Sequence, residues 1–195
     1  MNLVWATMVL ILKGKGEYGG IVIVEVAWKV CASVVNSRLK RGAVLHKALH
    51  GFREGRGMGT ATLEAKLAQR LDGLAHEPLF QFFLDVYKSY DSLDRGLCLE
   101  VLRGYGMGLN LVRLFKSYWD CQWILPKMGK FLKKSLRTGM RVTQGDPASP
   151  MIFNIVVDEV VWAVLDLVYG PRRPNTAWDG RLGRGTWFFT PMIAG

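Results

Sequence analysis

Apolar and polar positions alternate along this chain with two periods, one typical of strands and one typical of helices. Residues 1–12 form an almost unbroken apolar run, and Ile21 to Val26 is a second run rich in β-branched side chains. The residues between them, from Lys13 to Gly20, are mostly glycine and charged residues. We therefore expect two strands joined by a flexible turn, which is a hairpin with lysines at its tip.

Five later segments show the helical period, in which apolar residues recur every three or four positions. These predicted helices cover residues 27–39, 60–74, 92–103 and 110–123, and a long apolar stretch that begins at Ser149. In the first two helices large side chains are predicted to form the buried faces, namely Val30, Val34 and Leu39, then Leu63, Leu67, Leu71 and Leu74.

Polar residues mark the starts of two of these helices. Asp91 and Asp94 flank the beginning of the helix over 92–103, where one is expected to cap the helix and the other to act as a first-turn acid. Ser149 is the predicted cap of the last helix, with Pro150 in its first turn. The basic residues from Lys127 to Lys134 surround Gly129 and predict a further hairpin.

Charge and cysteine content narrow the class of protein. The 195 residues include 26 Lys and Arg against 16 Asp and Glu, a formal net charge of +10. Such an excess attracts polyanions, nucleic acid above all, although a soluble protein that is merely basic is the alternative. Three scattered cysteines favour reduced thiols in an intracellular protein. The first apolar run is too short to cross a bilayer and lacks signal-peptide features, so neither membrane insertion nor secretion is expected.

The candidate chemistry centres on Asp85, which ends the Phe-rich run that begins at Phe80. A carboxylate at the end of a buried strand suits Mg²⁺, and the following backbone carbonyl can add a second oxygen ligand. The alternative is that Asp85 simply ends a strand. His46 and His50 lie four residues apart and could share a metal, but no third ligand is evident nearby, which favours a structural role.

Three ordered motifs resemble those of reverse transcriptases of the non-LTR retrotransposon and group II intron branch. Asp85 to Asp91 resembles the first palm motif, Asp-x-x-Lys-Ala-Phe-Asp. Val142 to Asn154 resembles the second, Gly-Val-x-Gln-Gly-x-Pro-x-Ser-Pro-x-x-Phe-Asn, and His50 to Gly57 resembles the fingers motif His-Gly-Phe-Arg-x-Gly-Arg. The resemblance extends from about Trp5 to about Tyr169.

The resemblance implies an α+β fold made of the fingers and part of the palm of a right-hand polymerase, without a thumb. Residues 1–75 are then fingers-like, 76–169 a partial palm, and 170–195 a loop and degenerate C-terminal segment. The implied activity is DNA synthesis on RNA, with an RNA template, a DNA primer and deoxynucleoside triphosphates as partners. Mg²⁺ is the implied cofactor, because polymerases of this kind use two metal ions.

The same resemblance implies roles for individual residues. Asp85 is the catalytic metal ligand, assisted by the Val86 carbonyl, and Tyr90 lies beneath the sugar and excludes a 2′-hydroxyl, unless it is simply a core tyrosine. Gln144 and Gly145 line the nucleotide pocket. Lys13 and Lys15 are expected to bind the triphosphate, unless they belong to a solvated turn. Separately from the resemblance, the glycine-rich loop before the helix over 60–74 and the basic hairpin near Gly129 are expected to contact nucleic acid, through Arg53, Arg56, Lys130, Lys133 and Lys134.

Several features depart from the family pattern. Gly19 stands where relatives carry Arg, Arg141 stands where they carry Gly, and the Tyr-Ala-Asp-Asp motif that supplies the other catalytic carboxylates is absent. Other acids near the C-terminus could replace the missing carboxylates only speculatively. They are Asp158, Glu159, Asp166 and Asp179. We therefore expect a reverse transcriptase domain truncated before or within that motif and catalytically impaired. The alternatives are a non-catalytic nucleic-acid-binding remnant of a retroelement, or an unrelated basic domain with coincidental motifs.

Overall fold

A computed structural model describes residues 4–14, 17–75, 86, 88–128, 131–132, 134–137 and 142–170. The helices are α1 (Val26–Gly42), α2 (Met58–Ala75), α3 (Arg95–Gly104), α4 (Leu109–Cys121) and α5 (Ser149–Tyr169). The strands are β1 (Val4–Gly14), β2 (Glu17–Ile23), β3 (Gln122–Met128), β4 (Phe131–Leu132) and β5 (Leu136–Arg137). Among the helices so described, none has both the length and the apolarity that crossing a bilayer requires.

The chain divides into two compact units, and the division falls within α5. The first unit comprises Met1–Arg41 and Lys88–Phe153, and the second comprises Gly42–Tyr87 and Asn154–Gly195. The strands, α1, α3, α4 and the start of α5 belong to the first unit, whereas α2 and the rest of α5 belong to the second.

The sheet of the first unit is built around β1. This strand pairs antiparallel with β2 and parallel with β3, so that the order is β2-β1-β3, and the short strands β4 and β5 pair antiparallel with β3. The predicted hairpin of β1 and β2 is confirmed. The turn is shorter than expected, because Gly19 and Gly20 continue the ladder opposite Ile11 and Leu10. The hairpin predicted within residues 127–134 is also present, with Lys127 opposite Leu132.

All five predicted helices form, but the buried faces predicted for two of them are wrong. In α1 the buried residues are Trp28, Ala32 and Val35, whereas Val30 and Val34 are 60% and 50% exposed. In α2 the buried residues are Ala61 and Ala68. The whole predicted leucine stripe of α2 is exposed: Leu63, Leu67, Leu71 and Leu74. In both helices small residues lie on the packed side, and these let the helix backbone approach its neighbours closely.

The helix starts agree only in part with the predicted caps. Asp94 caps α3, because its side chain accepts a hydrogen bond of 2.9 Å from the Leu97 amide. Asp91 lies in the preceding turn, and the first turn of α3 contains no acid, so the predicted first-turn role is wrong. Ser149 is the first residue of α5, as the sequence predicts for the helix start, and its hydroxyl donates 2.8 Å to the Thr143 carbonyl.

Candidate functional site

The segment Val142–Ala148 joins the sheet to α5 and carries two of the predicted nucleotide-contacting residues, Gln144 and Gly145. Both are exposed, in a turn between buried Thr143 and buried Asp146. The Val22 amide of β2 donates a hydrogen bond of 2.8 Å to the Gln144 carbonyl. The turn is therefore attached through its backbone to the outer edge of β2, and the Gln144 side chain is left at the surface.

Gly145 occupies a position that no other residue could adopt without strain. Its φ is +111°, a conformation that side chains with a Cβ rarely adopt. A Cβ built at this position would lie 2.2 Å from the Val22 carbonyl oxygen. Gly145 therefore allows the backbone of the turn to lie close to the backbone of β2.

Asp146 is a buried carboxylate with two protein donors. The Trp28 indole N–H donates to its Oδ2, and the Ala148 amide donates 2.9 Å to its Oδ1. The Trp28 ring stacks on Tyr118, with ring centroids 3.5 Å apart and planes 5° apart. Burial raises the pKa of Asp146, and the two hydrogen bonds oppose that rise. Burial likewise raises the pKa of Tyr118, and the nearby Asp146 adds to the effect.

A buried polar network reaches Thr143, the residue that precedes this turn. The Arg95 guanidinium donates to the Trp119 carbonyl at 2.8 Å and to Gln122 Oε1 at 2.7 Å. The Thr143 hydroxyl donates 3.0 Å to that same Gln122 oxygen, and Gln122 Nε2 donates 3.1 Å to the Tyr118 hydroxyl. Burial lowers the pKa of Arg95 to about 10, so the guanidinium stays charged at neutral pH. The network links α3 and the start of β3 to the residue that precedes Gln144.

Tyr90, the predicted sugar-contacting residue, is half-buried in the first unit. Its ring centroid lies 5.7 Å from that of Phe153, and burial raises the pKa of its hydroxyl. The Phe153 contact is what the core-tyrosine alternative expects. The intermediate exposure of Tyr90 is compatible with the sugar-contacting role as well.

In the second unit, Arg53 and Arg56 bind the protein's own backbone. Arg53 Nη1 donates to the carbonyls of His46 and Leu49, at 2.9 and 3.0 Å. Arg56 Nη1 donates to the Lys47 carbonyl. Burial lowers the pKa of Arg53, and the neighbouring Arg56 adds to the effect. These guanidinium groups hold the glycine-rich loop in shape, so contact with nucleic acid is at most a second role.

The two histidines of this unit have structural partners. His50 Nδ1 lies 2.8 Å from the Thr60 hydroxyl, and its Nε2 lies 3.1 Å from Glu64. The His46 ring meets Trp162 edge to face at 5.2 Å between centroids, and burial lowers the pKa of that ring. The structural interpretation of the pair is therefore supported over a shared metal.

Asp158, one of the speculative substitute carboxylates, is completely buried. Its Oδ1 accepts a hydrogen bond of 2.6 Å from the His46 amide. In the part of the chain that the structure describes, no three potential metal-ligating side chains come together. The described residues therefore contain no cluster that fits a pair of magnesium ions.

Other predicted residues lie partly or wholly outside the described part. Val86 and Lys134 are described, and both are exposed. Lys13 lies in β1, but its side chain is outside the description. The predictions that fall entirely outside the described residues concern Lys15, Asp85, Lys130, Lys133, Arg141 and Asp179.

The residues that hold the Gln144–Gly145 turn in place are not evident from the sequence pattern. Asp146 occupies a variable position of the second palm motif, and nothing in the pattern assigns it a buried partner 118 residues earlier in Trp28. Arg95 and Gln122 are charged and polar residues next to helix ends, where solvent exposure is the usual expectation. The available signal is the spacing of Gln122, which lies three residues after the core residue Trp119 and so on the same side of the amphipathic segment.

Two known proteins share sequence with this chain. It is 32% identical over 85 residues to the Retrovirus-related Pol polyprotein from type-1 retrotransposable element R2 of Popillia japonica, covering 43% of this chain and 14% of that protein. It is 30% identical over 78 residues to the corresponding Pol polyprotein from type-2 retrotransposable element R2DM of Drosophila melanogaster, covering 40% of this chain and 7% of that protein. No protein-family model matches the chain. The shared sequence gives the chain a retroelement-related origin.

Proposed function

We propose that this chain supplies the nucleotide- and template-facing part of an RNA-directed DNA polymerase, and that on its own it is catalytically impaired. The observation that carries the proposal is the exposed Gln144–Gly145 turn, seated on β2 by the 2.8 Å bond between the Val22 amide and the Gln144 carbonyl. A polar side chain presented by a rigid backbone is what recognition of a nucleotide needs. The relation to retroelement Pol polyproteins and the order of the three motifs support the same function.

The expected impairment follows from the supply of carboxylates. Two-metal nucleotidyl transfer needs several carboxylates around a pair of cations. Asp146 and Asp158 are both buried and accept hydrogen bonds from protein N–H groups, so neither is available as an open ligand. Asp85 is then the one carboxylate to which the resemblance gives a metal, and one carboxylate holds a metal pair poorly.

A second function is favoured by the charge of the chain. A net charge of +10 suits binding of nucleic acid without catalysis, which is the activity expected of a retroelement remnant. This candidate needs no metal ligand. It predicts affinity that falls steeply with salt and no nucleotide incorporation under any metal condition.

Primer extension distinguishes the two functions. The whole chain is incubated with an RNA template, an annealed DNA primer, deoxynucleoside triphosphates and Mg²⁺. Incorporation that is abolished in Asp85→Asn and retained in Asp91→Asn, a matched control in the same motif, supports the polymerase. Salt-sensitive binding without incorporation supports the second function. Incorporation that survives Asp85→Asn contradicts the proposed role of Asp85, and absence of both binding and incorporation contradicts both functions.

A further inference from the structure

One helix face of the first unit carries charged residues that none of the family motifs covers. Arg113, Lys116, Ser117, Asp120 and Cys121 of α4 follow one another at helical spacing and line a cavity of about 220 Å³. The opposite side of the same helix is the packed side, where Phe115, Tyr118 and Trp119 are buried. The cavity therefore lies on the outer side of α4.

A further cation lies beside the C-terminal end of this helix face. Arg137 of β5 donates 3.1 Å to the Asp120 carbonyl, which brings its exposed guanidinium beside the last turn of α4. This region therefore combines three cations, Arg113, Lys116 and Arg137, with one carboxylate, that of Asp120. We call this set of four charged residues, together with Ser117, the α4 basic face.

The ion pair between Lys116 and Asp120 in the α4 basic face is weak enough for a bound anion to replace it. Lys116 Nζ lies 2.7 Å from Asp120 Oδ2, with the two side chains 62% and 50% exposed. An exposed pair of this kind contributes little to stability, because water and salt screen it and both side chains lose freedom. Among the described residues Arg113 has no acidic partner at all. Ammonium, guanidinium and hydroxyl groups are all donors, and a phosphate oxygen is an acceptor that can replace the Asp120 carboxylate.

From this geometry we propose that the α4 basic face is a docking surface for the phosphate backbone of a nucleic acid strand. Arg53 and Arg56 are not members of the α4 basic face, and their guanidinium groups donate to backbone carbonyls within their own loop. This inference depends on the proposed function in one respect only, namely that the partner is a nucleic acid. Binding at the α4 basic face needs neither Asp85 nor metal, so loss of polymerase activity leaves it standing.

The test measures binding of labelled single-stranded RNA and, separately, single-stranded DNA by fluorescence anisotropy across a range of salt. The triple variant Arg113→Gln/Lys116→Gln/Arg137→Gln is compared with Arg38→Gln/Lys40→Gln/Arg41→Gln, which removes three exposed cations at the end of α1. For three lost phosphate contacts we expect a salt slope lower by about 2 and an affinity lower by about 100-fold near 0.1 M salt. The α1 variant should change both much less.

The alkylation rate of Cys121 tests whether the nucleic acid binds at the α4 basic face. In a Cys31→Ser background, Cys121 lines the cavity and is partly accessible, while Cys98 is fully buried. We expect RNA or DNA to slow alkylation of Cys121 several-fold, and the α4 triple variant to lose this protection while the α1 variant keeps it. A single variant, Asp120→Asn, should tighten binding, because it removes the carboxylate that competes with phosphate.

Two outcomes overturn the proposal. Equal weakening by the α4 and α1 triple variants would show that only net charge matters. Unchanged alkylation of Cys121 under saturating nucleic acid would show that the strand lies elsewhere. Protection by RNA alone or by DNA alone supports the surface and identifies which strand it holds. Thermal unfolding of each variant confirms that the comparison is made between folded proteins.

Discussion

The backbone of Val22 fixes the position of Gly145 through both its amide and its carbonyl oxygen. Its amide donates to the carbonyl of Gln144, the residue just before, and its carbonyl oxygen occupies the space where a Cβ of residue 145 would lie, at 2.2 Å. The turn that carries both predicted nucleotide-contacting residues is thus fitted to an edge strand that lies more than a hundred residues earlier in the chain. The contacts that hold the turn are made by backbone atoms of β2, and they leave no room for a methyl group at position 145.

Gly145→Ala is expected to destabilise the first unit. The positive φ alone costs about 1–3 kcal/mol for a residue with a Cβ, and relief of the contact with Val22 requires the turn to move. Urea unfolding should show the loss, and hydrogen exchange of the Val22 amide should become faster. Gly104→Ala is the matched control, since nothing lies within 4 Å of its added Cβ and it ends α3. Equal stability of the two variants would contradict the close approach.

The sequence predicts the positions of α1 and α2 well but not their packed faces. A helical period shows where a helix is, because it depends on local spacing. Which of two adjoining stripes is buried depends on what the helix meets. In α2 the packed side uses Ala61 and Ala68, whose small side chains give a weaker hydrophobic signal than the leucines do, and in α1 it uses Trp28, Ala32 and Val35. The parallel pairing of β1 with β3 and the bond between Trp28 and Asp146 are non-local, so local pattern carries no trace of either.

The network around Gln122 Oε1 should behave as a coupled unit. Arg95→Met removes a buried donor from both the Trp119 carbonyl and Gln122, and about 3 kcal/mol of stability should be lost. Thr143→Val removes one neutral hydrogen bond and should cost about 1 kcal/mol. Because both residues donate to the same oxygen, the double variant should deviate from additivity by about 0.5 kcal/mol or more.

Urea unfolding of the two single variants and the double variant measures this coupling. Arg103→Met serves as control, as Arg103 is an exposed arginine on the same helix and its loss should stay within about 0.5 kcal/mol. Additive losses would mean that the turn is not held through Gln122, and that Arg95 acts on α4 alone.

Asp146 should make stability fall as the pH rises. Burial raises its pKa above the ordinary value of 3.8, so between these two pKa values the folded protein binds more protons than the unfolded chain. The stabilising contribution of the protonated form is complete below pH 3.8 and is lost as the pH rises through the raised pKa. Each unit of the rise is worth about 1.4 kcal/mol.

The pH effect is isolated by comparing the wild-type chain with Asp146→Asn in urea at a series of pH values from 3.5 upward, in steps of about half a unit. The difference in unfolding free energy, wild type minus variant, should decrease with pH across the window. In Trp28→Phe the window should extend to higher pH, because the indole N–H that favours the carboxylate is gone while an aromatic ring remains. A difference that does not change with pH would mean that Asp146 titrates normally.

The exposed leucines of α2 provide a direct check on which side of that helix is packed. Leu71 is 62% exposed and Ala68, one turn earlier, is 6% exposed. Leu71→Gln should therefore change stability by no more than about 0.5 kcal/mol, as surface substitutions usually do. Ala68→Leu should cost about 1–3 kcal/mol, because the larger side chain overfills a packed contact. Both changes are read by urea unfolding. If instead Leu71→Gln proves the costly substitution and Ala68→Leu is tolerated, the leucine stripe is the packed face, as the bare periodicity predicts.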